Sequence, residues 1–333
     1  MAGMESSDSA RCSRRNFLKT AALSTAALAV DAAFAKPGAS MMPSNPPVLP
    51  RRPYGRTGIQ LSIIGMGGIV VQNAAPAHAN RLVAEFVERG VNYFDVAPSY
   101  GDAEQKLGPA LEPHRQKVFL ACKTTQRHRA GASAELQHSL ATLRTDYFDL
   151  YQLHAVTDVA KDIDAVFARG GAMEACIEAK KSGQVRHLGF SAHSVAAALA
   201  AMDRYEFDSI LFPVNFATYH TGNFGPQIME RAQAKGLARL ALKALARQKW
   251  PPGNTERQKY PKCWYQPLTD AHEAELALRF TLSQPVTAAL PPGDESLFRL
   301  ALGLAEKFRP LSEPEAKELQ SLAAGLDPVF RAT

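Results

Sequence analysis

The sequence predicts an α/β chain folded as a (β/α)8 TIM barrel with a small N-terminal hairpin, and three observations carry that reading. After residue 53 the apolar pattern alternates eight times between short β-rich runs and longer segments of helical period. Eight such units in about 280 residues suit a closed barrel. A doubly wound sheet, the competing architecture, binds its dinucleotide through a Gly-x-Gly-x-x-Gly turn after the first strand, and "GMGG" from Gly65 has the wrong spacing.

Taken in chain order, residues 1–35 read as an address. "SRRNFLK", Ser13 to Lys19, precedes a mild apolar stretch that closes on Ala33, Phe34 and Ala35. A charged start, a short apolar run and a small-residue end describe a secretory signal, too short and alanine-rich for a stable membrane span. Arg14 and Arg15 with Phe17, Leu18 and Lys19 look like a twin-arginine (Tat) signal. That resemblance implies periplasmic localisation through the Tat translocation machinery, with folding and cofactor loading completed before export. Residues 36–52, holding Pro43, Pro46, Pro47 and Pro50, read as an extended linker, and 53–330 as the barrel.

Within the barrel, "YGRTGIQ" from Tyr54 predicts a hairpin at the bottom. Strand-like runs begin at Leu61, Tyr93, Val118, Tyr147, Val185, Ile210, Ala238 and Thr287. Between them, residues 133–144 place Leu136, Leu140 and Leu143 on one helical face. Residues 295–308 do the same with Leu297, Leu300, Leu304 and Phe308. Asp102 with Gln105 predicts a capping box after the second strand.

Composition narrows the function. The net charge of +6 is spread without a basic block interleaved with aromatics, which argues against nucleic-acid binding but suits anionic ligands such as phosphates. Cys12, Cys122, Cys176 and Cys263 show no Cys-x-x-Cys and no His at zinc spacing, so no metal site is expected. Loss of Cys12 with the leader would leave an odd number, which argues against a disulfide framework. Apolar flanks make Cys122 and Cys176 core residues.

In a barrel the active site lies at the C-terminal strand ends. Asp95 sits near the end of the second strand, Tyr100 in the loop after it, Lys123 at the end of the third and His154 at the end of the fourth. Each could be bland alone, as a turn cap, a loop aromatic, a solvated lysine or a satisfied core histidine. Apolar strands rarely spend three adjacent ends on charged groups without a site there.

This set, with "YGDAEQKLG" and "YGRTGIQLSIIGMGG", resembles the aldo-keto reductase family from about Tyr54 to Pro292. The resemblance implies a barrel that uses a nicotinamide cofactor, NADP by family habit with NAD also compatible, on a small-molecule carbonyl or alcohol substrate. By motif the family's catalytic Tyr, Lys, Asp and His fall on Tyr100, Lys123, Asp95 and His154. Carbonyl reduction needs a hydride on carbon and a proton on oxygen. Tyr100 is expected to be the acid, its pKa lowered by the Lys123 ammonium, with Asp95 holding Lys123 charged and His154 orienting the carbonyl oxygen.

Elsewhere the chain departs from the family. Ser191 remains to hold the carboxamide, but Ala192 replaces the usual Asn and His193 follows. The sixth strand lacks the common glutamine, and Leu242 and Lys243 stand where an aromatic usually stacks on the nicotinamide. Lys243 is read as a pyrophosphate contact, against the alternative of a solvated rim lysine. Arg299 is read as a contact to an adenosine 2′-phosphate, which Asp294 and Glu295 would repel. The segment 246–268, holding Trp250, Tyr260, Trp264 and Tyr265, reads as a lid or a surface excursion, and with Phe216, Tyr219 and His220 as the substrate wall. These departures also admit an exported, nucleotide-bound interaction subunit with vestigial activity.

Overall fold

The computed structural model of the protein describes residues 49–332; the expected export signal and most of the linker lie outside the described residues. Two short strands, Arg51–Pro53 and Gln60–Ser62, pair antiparallel with Arg51 opposite Ser62. The hairpin thus begins inside the expected linker. Its turn passes through Gly55 and Gly58, at φ of 55° and 78°, a region that favours glycine. Tyr54 is fully buried, 4.9 Å from the ring of Phe119, and stoppers the lower end of the barrel.

Eight parallel strands follow: β1 (Met66–Gly67), β2 (Tyr93–Asp95), β3 (Phe119–Thr124), β4 (Phe148–Val156), β5 (Val185–Ala192), β6 (Ser209–Pro213), β7 (Ala238–Leu242) and β8 (Ala288–Leu290). They hydrogen-bond in sequence order. A parallel bridge between Ile64 and Ala289 joins the last strand to the first, with Gly65 N–H donating to Ala289 O at 2.9 Å. The single strand expected from Leu61 is therefore divided, its start serving the hairpin and its end the barrel.

Period-2 alternation decides what fills the lumen. Tyr93, Phe119, Ala121, Leu150, Leu211, Ala238, Leu240, Ala288 and Leu290 form the inner cluster with Tyr54 and Leu61. Phe94, Leu120, Cys122, Tyr151 and Leu153 belong to the cluster under the outer helices. Continuing the inward phase brings Asp95, Lys123, Gln152 and His154 to the upper layer.

The main outer helices are α1 (Pro76–Glu88), α2 (Ala103–Leu111), α3 (Arg129–Thr142), α4 (Ala172–Lys181), α5 (Val195–Arg204), α6 (Pro226–Ala234), α7 (Ala271–Ser283), α8 (Glu295–Ala305) and α9 (Glu313–Ala324). Leu136, Leu140 and Leu143 are buried as expected. On α8 the buried face is Leu297, Phe298, Ala301, Leu302 and Ala305, so the stripe is rotated from the expected one, and Phe308 lies past the helix end. The Asp102 capping box does not form: its carboxylate instead accepts the Asn73 N–H at 2.7 Å, tying the α2 start to the loop after β1. No helix among the described residues is long and apolar enough to cross a membrane.

Candidate active site

Asp95 and Lys123 meet in the upper layer, buried at 1% and 0% exposure. The Lys123 ammonium is hydrogen-bonded to Asp95 Oδ1 and donates to Val96 O at 3.1 Å. The other Asp95 oxygen accepts from Gln152 Nε2 at 2.9 Å and Tyr93 OH at 3.2 Å. The sequence motifs do not single out Gln152 and Tyr93. Their signal was the same period of two that marked their neighbours, because Tyr93 precedes Asp95 and Gln152 precedes His154 on the inward face.

The tetrad expected from the sequence is brought together. Lys123 Nζ lies 4.9 Å from the centre of the Tyr100 ring, and the Tyr100 and His154 rings meet edge-on at 5.6 Å. Gly101, at φ 58°, turns the chain immediately after Tyr100. His154 lies within a register shift in β4 between Leu153 and Val156, where Ala155 takes φ 53° and its N–H donates to Ser191 Oγ at 2.7 Å. A bulge of this kind re-aims a side chain at a barrel rim. Ser191 thus supports the bulge as an acceptor, and its own O–H stays available to a ligand.

Electrostatics correct one expectation. Burial pushes the Tyr100 pKa above its ordinary value, and the Lys123 ammonium only partly pulls it back. The phenol is therefore fully protonated at neutral pH, the form needed in a proton donor, and Lys123 favours the phenolate once the proton leaves. Burial alone would discharge Lys123, but Asp95 outweighs it and keeps the ammonium charged. His154 is driven down to about 3 by burial and by Lys123, and His193 to about 4 by burial and Lys243. Both imidazoles are neutral. Ser99 Oγ lies 3.4 Å from His154 Nδ1, an arrangement that suits a proton on Nε2, where it can be donated.

These two rings have a consequence for stability. Below the ordinary value of 6.5 the unfolded chain takes up protons that the folded rings refuse. Their folded values are depressed, so their contribution is fully present above 6.5 and is lost as pH falls toward 4. The thermal midpoint is expected to decline over that window, with a shallower slope in His154→Asn/His193→Asn. Thermal melts from pH 7 to 4 check this, and equal slopes would contradict it.

Beside Asp95 and Tyr100 lies a cavity of about 80 Å³, lined also by Gly67, Lys243, Trp264 and Gly293 among others. Lys243 follows β7 in a left-handed conformation, φ 67°, with Asn215 Nδ2 donating to its carbonyl at 3.1 Å. Its ammonium stands 5.0 Å from the Trp264 ring and 4.8 Å from that of Tyr265, and burial lowers its pKa to about 8. No carboxylate pairs with it among the described residues. A half-buried cation without a counterion, beside aromatic rings and a free serine hydroxyl, suits the diphosphate and ring of a dinucleotide.

Three expectations fare differently. The 246–268 segment does cross the mouth, since Lys262 Nζ donates to Val70 O at 2.9 Å and Trp264 lines the cavity. Tyr219 and His220 pack on Phe280, at 5.6 and 5.4 Å, and Phe216 is fully buried, so these residues belong to the outer shell rather than the substrate wall. Phe330 of the C-terminal tail lies stacked on His193 at 5.0 Å and edge-on to Trp264 at 6.0 Å. Arg299 sits on α8 with its guanidinium bound to both oxygens of Glu85 and to Glu295 at 3.1 Å. Binding a phosphate would require it to give up these partners.

A closed parallel barrel with a buried ion pair beneath a protonated phenol defines a class of enzyme that handles protons at its mouth. The Aldo/keto reductase family pattern matches residues 63–323, and the chain belongs to that family. It is 27% identical over 301 residues to the uncharacterized oxidoreductase YqkF of Bacillus subtilis, covering 81% of this chain and 95% of that one. It is 26% identical over 234 residues to the 6-dehydroglucose reductase of Novosphingobium aromaticivorans, covering 62% and 73% respectively. The holo form of an aldo-keto reductase from Bacillus halodurans shares the fold with a TM-score of 0.64, at 24% identity over 82% of this chain and 96% of that one. The protein is an NAD(P)-dependent oxidoreductase.

Proposed function

We propose that this chain is an exported reductase of aldehyde, ketone or sugar carbonyls, or works in the reverse direction on the alcohols, with Tyr100 as general acid. The observation that carries the reading is the Lys123–Asp95 pair buried beneath Tyr100, with neutral His154 at its edge. When bound, the nicotinamide supplies the hydride. Tyr100 gives its phenolic proton to the carbonyl oxygen, Lys123 stabilises the resulting phenolate, and His154 donates a hydrogen bond that orients the same oxygen. Ser191 would hold the carboxamide through its O–H, and Lys243 the diphosphate. The direct test follows loss of reduced-nicotinamide absorbance with purified protein and a panel of carbonyls. Failure of wild type to turn over any of them would defeat the reading.

Export is supported by Arg14, Arg15, Phe17, Leu18 and Lys19 ahead of the alanine-rich stretch. An exported enzyme would have to keep its dinucleotide, cycling it between two substrates. The expected result is protein in the periplasmic fraction with dinucleotide detectable by mass spectrometry, and its loss from that fraction in Arg14→Lys/Arg15→Lys. A cytoplasmic wild type would overturn the proposal.

A further inference from the structure

We propose that Lys243 is a nucleophile that captures aldehydes and unhindered ketones as imines in the cavity it shares with Tyr100. This adds to hydride transfer a covalent step that needs no dinucleotide. Two lysines reach the barrel mouth in opposite states. Lys123 is fully enclosed and paired with Asp95, which holds it charged, so it has no lone pair to give. Lys243 lines the cavity beside Tyr100, and no carboxylate among the described residues holds a proton on it. Its nitrogen stands 5.0 Å from the centre of the Trp264 ring and 4.8 Å from that of Tyr265, rings that attract an ammonium far more weakly than a carboxylate does. Burial keeps the nearby Cys263 thiol protonated, at about 11, and leaves His193 neutral, so neither neighbour supplies negative charge.

Desolvation thus brings Lys243 to about 8, where a lysine serves as a Schiff-base nucleophile. Its backbone is fixed as well. The Lys243 carbonyl accepts from Ala246 N at 2.9 Å and Asn215 Nδ2 at 3.1 Å, holding the residue in a left-handed conformation that surrounding structure must impose. The amine lone pair adds to the carbonyl carbon, the C=O π pair moves to oxygen, and that oxygen takes the Tyr100 proton to give a carbinolamine. The added nitrogen returns one proton to the phenolate. A second transfer from Tyr100 lets the C–O bond break with loss of water while the nitrogen lone pair closes the C=N bond, and the last N–H proton restores the phenol. The carbonyl oxygen therefore departs with the two hydrogens of the amine, and no oxidant or reductant is needed. Because the captured carbon sits on the nitrogen assigned above to the diphosphate, capture and dinucleotide binding exclude one another.

The test incubates the full-length chain at neutral pH with propanal and sodium cyanoborohydride, which reduces an imine to a stable propyl-lysine, and maps modified lysines by peptide mass spectrometry. Exposed Lys249 and Lys259 serve as internal references. Lys243 is expected to be labelled at least about tenfold faster, because an ordinary lysine, titrating near about 10.4, holds far less free amine. Saturating NADH or NADPH should slow labelling at Lys243 and leave both references unchanged. In Lys243→Arg, which keeps the charge but cannot form an imine, the fast adduct should vanish from the intact mass. Labelling of Lys243 no faster than the references overturns the inference, as does undiminished labelling while tryptophan fluorescence shows the dinucleotide bound. A fast adduct that persists in folded Lys243→Arg overturns it too. Should that variant fail to fold by circular dichroism, the wild-type rates decide. Carbonyl turnover without capture leaves the oxidoreductase reading standing and defeats this inference, whereas capture without turnover does the reverse.

Discussion

Tyr100→Phe is expected to lower kcat for carbonyl reduction by a factor of about 10² to 10⁴, the usual contribution of a positioned acid. Dinucleotide affinity should stay close to that of wild type. The substitution removes one hydroxyl and keeps the ring that meets His154 edge-on and lies over the Lys123 ammonium. Neither contact needs the oxygen, so the mouth keeps its shape while the carbonyl oxygen loses its proton source. Steady-state rates with a saturating carbonyl, alongside fluorescence titration with cofactor, separate the two effects. A variant that retains more than about a tenth of wild-type kcat would move the acid to another group, with neutral His154 the next candidate.

The second large effect concerns stability. Lys123→Met should destabilise the fold by about 3–5 kcal/mol, because it leaves the Asp95 carboxylate buried without its counterion. Gln152 and Tyr93 still donate to Asp95, but neither carries charge. Asp95→Asn should be costly for the converse reason, leaving an ammonium in a fully enclosed position. The double variant Lys123→Met/Asp95→Asn removes both charges and should recover most of the loss, although it stays catalytically impaired. Urea midpoints of the four proteins close the thermodynamic cycle. Additive losses would show that the two side chains do not stabilise one another, and would remove the electrostatic basis for assigning Lys123 to the phenolate.

The elements that were legible in the sequence share a local cause. Strand and helix periods are set by geometry within a few residues, so the eight alternations and the inward positions of Asp95, Lys123 and His154 follow from spacing alone. Gln152 was equally visible in principle, since it lies two residues before His154. The division of the first strand was not visible, because Gln60–Ser62 and Met66–Gly67 differ only in which distant segment they pair with.

The sequence by itself determined the barrel and the family-like tetrad of this protein, because strand period and short motifs depend on neighbouring residues. Tertiary structure alone decided that Tyr100 has its pKa raised, since that direction depends on how much water burial removes around the phenol. It also decided that Phe330 stands over His193 and that Arg299 is spent on Glu85 and Glu295. Asp102 turned to Asn73 instead of capping its helix for the same reason. A polar or aromatic side chain takes the partner that folding brings closest, and for these residues most of those partners lie on distant stretches of the chain.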